Sequence, residues 1–84
     1  MSWQIRFEQV ADKQLQALDK PVQRRIATAI IKLALDPHQA SNVKQLAGGG
    51  YRLRVGNYRV IYDLWQSELI VVVIRAAHRR EVYR

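Results

Sequence analysis

Residues 51–62, YRLRVGNYRVIY, are two runs of strict apolar–polar alternation that meet at Gly56 and Asn57. Alternation at period two marks a strand with one buried face, and a glycine-first two-residue loop is a recognised tight hairpin turn. Such a loop fixes the register: Val55 faces Tyr58, Arg54 faces Arg59, Leu53 faces Val60 and Arg52 faces Ile61. One face of the ribbon then carries Tyr51, Leu53, Val55, Tyr58, Val60 and Tyr62, and the other carries Arg52, Arg54 and Arg59. Arg54 and Arg59 stand directly across from each other, with Cβ atoms about 5 Å apart, where like charges are destabilising. A pair placed there points to an anion held between the two guanidinium groups.

The rest of the chain must cover the apolar side of this ribbon. Residues 3–7 alternate and predict a first strand; from about Glu8 a helical pattern follows, with Val10, Ala11, Leu15 and Leu18 at three- and four-residue spacings. Glu8 and Asp12 fall in its opening turns, where carboxylates suit the positive end of the helix dipole better than they suit catalysis. Asp19, Lys20 and Pro21 break the chain, with Pro21 in the first turn of a second helix whose stripe is Val22, Ile26, Ala29, Ile30 and Leu33. That helix ends near Asp36 and Pro37. Residues 37–50 read as a polar connection finishing in three glycines. No Gly-Lys-Ser/Thr follows them, so they are a flexible entry to the next strand and not a phosphate cradle. Strands are expected over 51–55, 58–65 and 68–76, the last two joined by Gln66 and Ser67. The last is apolar almost throughout and should be central and covered on both faces. The order β-α-α-β-β-β predicts a single α+β domain over residues 1–84. In it a helical hairpin packs on one face of a small, mostly antiparallel sheet whose opposite face is basic.

Charge and residue usage narrow the function. Fourteen Lys+Arg against seven Asp+Glu give a net charge of +7, which calls for a polyanionic or acidic partner. All four lysines lie in residues 1–50, whereas residues 51–84 use only arginine, whose planar fork suits phosphate. The chain has no cysteine, and its two histidines, His38 and His78, form no metal-binding pattern, so neither a metal nor another cofactor is expected. Ser2, Ser41 and Ser67 carry no catalytic motif. The longest fully apolar run is residues 69–74, and the first twenty residues carry Arg6, Glu8, Asp12, Lys13, Asp19 and Lys20, unlike a signal peptide. A cytoplasmic protein without a membrane partner is therefore expected. What remains is a cationic surface of Arg52, Arg54, Arg59, Arg75, Arg79 and Arg80, with His78 and Tyr83. RNA can supply its own nucleophile, the 2′-hydroxyl. A protein that cleaves it must orient that group, stabilise phosphorane charge and protonate the leaving 5′-oxygen.

The runs KQLAGGGYRLRVGNYRVIYDL and VVVIRAAHRREVYR resemble the RelE/ParE superfamily of bacterial toxin–antitoxin toxins, and specifically its RelE branch. The resemblance covers essentially the whole chain and implies the same compact fold. It implies a small, metal-independent endoribonuclease that enters the ribosomal A site, cuts mRNA there and inhibits translation, with free RNA a poor substrate. The cut would leave a 2′,3′-cyclic phosphate and a 5′-hydroxyl. Implied partners are a cognate antitoxin protein and the ribosome with A-site mRNA, with operator DNA reached only through the antitoxin complex.

By position, Arg52 and Arg54 match the basic pair of the family's first hairpin strand, and Arg59 matches the arginine implicated in stabilising transition-state charge. Arg79 matches the arginine proposed as general acid, with Arg80 beside it for substrate binding. Tyr83 matches the C-terminal tyrosine that stacks on or orients a base. The best-known member type has lysines where Arg52 and Arg54 stand. Arginine does not give up its proton in proteins, so the general base is left open. His78 reads equally well as that base and as a strand-end residue bonded to a carbonyl. Glu81 reads as a partner for Arg79 or Arg80, and Arg24 and Arg25 as solubilising charges or ribosomal RNA contacts. Two other functions fit the same resemblance: a ParE-like DNA gyrase inhibitor acting by binding, and a non-enzymatic co-repressor that binds its antitoxin.

Overall fold

The computed structural model describes residues 2–80. Strand β1 (Gln4–Phe7) leads into helices α1 (Gln9–Gln16) and α2 (Lys20–Leu35), followed by β2 (Val43–Gln45), β3 (Tyr51–Val55), β4 (Tyr58–Trp65) and β5 (Ile70–His78). The strands form one sheet in the order β1-β5-β4-β3-β2; β1 runs parallel to β5 and every other pair is antiparallel. This is the α+β arrangement expected from the sequence, with one strand more. The added strand, β2, lies inside the stretch read as a connection and pairs Val43 with Leu53 and Lys44 with Arg52 along the sheet edge.

Each helix contributes an apolar stripe. Ile26, Ile30, Leu33 and Ala34 of α2 recur at helical spacing and are buried, as is Ala11 of α1. They meet Leu53, Val60, Tyr62, Leu64, Val71, Val73 and Ala76 from the sheet. Val10 is 51% exposed, so it falls off the stripe assigned to it. Pro21 sits in the first turn of α2, where its missing N–H costs nothing. The carboxylate of Glu8 makes no capping bond to α1, whereas Asp12 lies in the first turn and accepts a hydrogen bond from Gln16 Nε2 at 3.0 Å.

Strand β5 begins at Ile70 and ends at His78, two residues later at each end than the expected 68–76. The chain needs a four-residue turn over 66–69, with Leu69 at φ 56°, before it can re-enter the sheet. Residues 70–73 are buried on both faces, as their composition demanded. On the side away from the helices, Ile70 lies between Gln4 and Trp65, and Val72 between Arg6 and Asp63. The Arg6 guanidinium carbon stands 5.0 Å from the Trp65 ring centroid, a cation–π contact that arches over β5.

The register of β4 on β5 breaks once, between Ile61 and Tyr62, which pair with Arg75 and Val73. Ile74 is the extra residue of a β-bulge. A regular ladder would carry Arg75 opposite Val60 and into the core; the bulge sets Ala76 there and puts Arg75 on the opposite face.

Tyr62 is fully buried, stacked on Tyr51 at 5.4 Å, and its hydroxyl has no hydrogen-bond partner among the described residues. Burial, together with the neighbouring Tyr51, pushes its pKa up to about 12 from 10.0. A raised tyrosine pKa supports stability that is fully present below pH 10 and is lost as pH rises to 12, roughly 2–3 kcal/mol in all. Tyr62→Phe is therefore expected to abolish that alkaline loss. It should leave stability at pH 8 unchanged or raised by about 1 kcal/mol, because no partner is orphaned. Urea unfolding at pH 8 and pH 11 checks both expectations.

Candidate functional site

The helices cover one face of the sheet, and the register sorts the cations onto the other. One row across the strands is Arg54, Arg59 and Ala77; the next is Lys44, Arg52, Ile61 and Arg75. Neighbouring rows on one face are about 7 Å apart along the strand. The hairpin register is the one read from the sequence, and Gly56 at φ 60° supplies the left-handed first turn residue. The Arg54 N–H donates to the Asn42 carbonyl at 2.9 Å, away from β4. Arg54 and Arg59 are thus a non-hydrogen-bonded pair, the closer of the two antiparallel spacings at about 4.5 Å between Cα atoms.

These residues line a surface cleft of about 210 Å³ formed by Asn42, Val43, Lys44, Arg52, Arg54 and Arg59. The Arg59 guanidinium is anchored on the turn: Nη1 donates to the carbonyls of Gly56 at 3.3 Å and Tyr58 at 3.1 Å. Arg52 and Arg59 are half-buried and Arg54 is exposed. The arrangement gives fixed positive charge and many N–H donors around one concavity, which suits a phosphodiester and the extra charge of its phosphorane. Ala77, across from Arg59, adds only a methyl group to the floor beside it.

The remaining candidates are distributed around the end of the sheet. The Arg79 N–H donates to the Asn57 carbonyl at 2.9 Å, so the chain leaving β5 stays beside the hairpin turn, with Arg79 and Arg80 exposed. His78 pairs with Tyr58, which sets it on the helix side of the sheet, opposite to the face of Arg59. Its ring meets Tyr58 edge-on at 5.5 Å, and its Nδ1 accepts the Arg80 N–H at 3.2 Å. The structure therefore brings Arg52, Arg54 and Arg59 together, leaves Arg79 close to them by backbone, and does not bring the His78 imidazole onto their face. Tyr83 and Glu81 lie outside the described residues.

Two residues at the site escaped the sequence. Lys44 joins the cleft because β2 exists; the available signal was the alternation Val43, Lys44, Gln45 continuing the parity of the hairpin. Arg25, read as a surface charge, reaches from α2 to the turn, where a Cβ added to Gly56 would stand 3.0 Å from its Nη2. Among the described residues no three His, Cys, Asp or Glu side chains gather as metal ligands, and no helix is long and apolar enough to cross a membrane.

Known proteins share both sequence and architecture with this chain. A family model described as the ParE toxin of the parDE type II toxin–antitoxin system matches residues 5–83. A RelE-like toxin protein of Escherichia coli is 30% identical over 81 residues, covering 94% of this chain and 85% of that protein. Toxin RelG of Mycobacterium tuberculosis is 27% identical over 90 residues, covering 100% and 99%. The archaeal RelE–RelB complex from Pyrococcus horikoshii superposes with a TM-score of 0.82 at 26% identity, over 96% of this chain and 99% of that one. The isolated E. coli RelE toxin gives 0.74 at 25%, over 98% and 92%. The chain belongs to the RelE/ParE superfamily of toxins from type II toxin–antitoxin systems.

Proposed function

We propose that this toxin is a ribosome-dependent mRNA endoribonuclease. It cuts by attack of the substrate's own 2′-hydroxyl on the adjacent phosphate, needs no metal, and halts translation. The observation that carries the reading is the cleft in which Lys44, Arg52, Arg54 and Arg59 converge. Arg52 and Arg54, with Arg80, hold the scissile phosphate, and Arg59 stabilises the charge that grows on it as the fifth bond forms. Arg79, leaving the sheet beside the turn, hydrogen-bonds the departing 5′-oxygen, and Tyr83 stacks on a base. The names of the RelE relatives support this reading.

The P. horikoshii toxin is seen with RelB, and by that likeness a cognate antitoxin is the protein partner of this chain. An acidic or amphipathic antitoxin segment would neutralise the cationic face, and operator DNA would be reached only through that complex. A second reading, a ParE-like inhibitor of DNA gyrase, draws on the family model being named for ParE.

The chemistry of the cut ends separates the two. Message recovered from a translation reaction with the toxin is expected to carry 5′-hydroxyl ends that accept label from polynucleotide kinase without phosphatase treatment. Its upstream fragments should end in 2′,3′-cyclic phosphate. Intact message together with inhibited supercoiling by gyrase would select the second reading instead.

A further inference from the structure

The endonuclease reading requires a group that removes the 2′-hydroxyl proton, and the arginines of the cleft cannot supply it. His78 can exchange protons but stands on the other face of the sheet. Asp63 is on the open face, yet it lies four residues along β4 from Arg59, about 13 Å. Its Oδ1 is also held by the Leu64 N–H at 2.8 Å, and it does not line the cleft. Lys13, Lys20 and Lys32 are on the helices of the opposite side. Lys44 remains. It pairs with Arg52, shares the cleft with Arg52 and Arg54 of β3 and Arg59 of β4, and sits on the edge strand, where its amine can reach the cleft from the side.

We propose that Lys44 is the proton acceptor of the cleavage reaction, an inference that rests on the endonuclease reading. A lysine amine, unlike a guanidinium, serves as a general base in enzymes. In the step, the O2′–P bond forms as the P–O5′ bond breaks. The 2′-hydroxyl proton passes to Nζ of Lys44, and the departing 5′-oxygen takes a proton from water. Lys44 then returns its proton to solvent, so the protein is unchanged and the products are a 2′,3′-cyclic phosphate and a 5′-hydroxyl. The competing role is structural: lysine on a short edge strand deters pairing with another sheet. Arginine serves that purpose as well and keeps the charge of the cleft, so Lys44→Arg isolates proton transfer.

The test is single-turnover cleavage of ribosome-bound mRNA by wild type, Lys44→Arg, Lys44→Ala and Arg59→Ala across pH 6–9. Lys44→Arg is expected to lose about 10²-fold or more in rate at saturating ribosomes with little change in half-saturation. It should also lose the rise of rate with pH expected of wild type. Lys44→Ala should regain part of its rate with added ethylamine. Lys44→Arg at wild-type rate with the wild-type pH profile, beside an inactive Arg59→Ala, would overturn the role of Lys44 while the endonuclease reading stands. No cleavage by wild type would overturn both.

Discussion

Replacing Arg59 by alanine is expected to lower the single-turnover rate of message cleavage by about 10²–10³-fold, the usual cost of losing one preorganised donor to a developing oxyanion. Stability should fall only modestly. The side chain faces Arg54 directly across the hairpin, and removing one of two opposed like charges returns about 0.2–1 kcal/mol. Against that stand the two Nη1 hydrogen bonds to the Gly56 and Tyr58 carbonyls, each worth about 1 kcal/mol net. The two bonds outweigh that relief by about 1–2 kcal/mol, so the melting temperature should fall by roughly 4–15 °C while activity falls far beyond the loss of folded protein. Arg59→Lys keeps the charge but loses the planar fork, and should fall between the two in rate. Cleavage kinetics and a thermal melt on the same preparations check the pair of expectations. A variant that loses activity only in proportion to its folded fraction would make Arg59 a structural residue.

The second large effect is on stability. Ile26 is fully buried on the inner stripe of α2, where it joins the cluster that includes Ile30, Val60 and Tyr62. Ile26→Ala removes every side-chain carbon beyond Cβ and leaves a cavity, at about 2–5 kcal/mol. An 84-residue domain is stabilised by only about 4–13 kcal/mol in total, so one such cavity takes a large share. At roughly 4–8 °C per kcal/mol for a domain of this size, a fall of 10 °C or more in melting temperature is expected. A partner that binds only the folded toxin should restore much of it by linkage. The cognate antitoxin, added in excess, is therefore expected to raise the melting temperature of Ile26→Ala. A melt of Ile26→Ala within about 5 °C of wild type would show that α2 is not the support of the sheet.

The hairpin could be read in full from the chain because two local signals agreed, alternation over 51–62 and a glycine-first turn. Register, faces and the Arg54–Arg59 opposition all follow from those. The α2 stripe was equally legible, since Ile26, Ile30 and Leu33 recur at helical spacing over about two turns. Strand β2 was not, because it is only three residues long, Lys44 and Gln45 have little strand preference of their own, and the segment is ordered by pairing with β3. Losing β2 also lost Lys44. The bulge at Ile74 was hidden for a different reason: an uninterrupted apolar run has no period from which a phase shift could be seen. That one extra residue decides that Arg75 faces the cations and His78 faces the helices, so the site could be listed from sequence more easily than assembled from it.

The most direct test of the cationic cleft as an RNA-cleaving site is primer extension on mRNA held in a translating ribosome, with wild-type toxin and Arg59→Ala side by side. Wild type is expected to produce new stops at the codon in the A site, and Arg59→Ala to leave the message full length at the same concentration. Full-length message with both proteins, at toxin in excess over ribosomes, would contradict it.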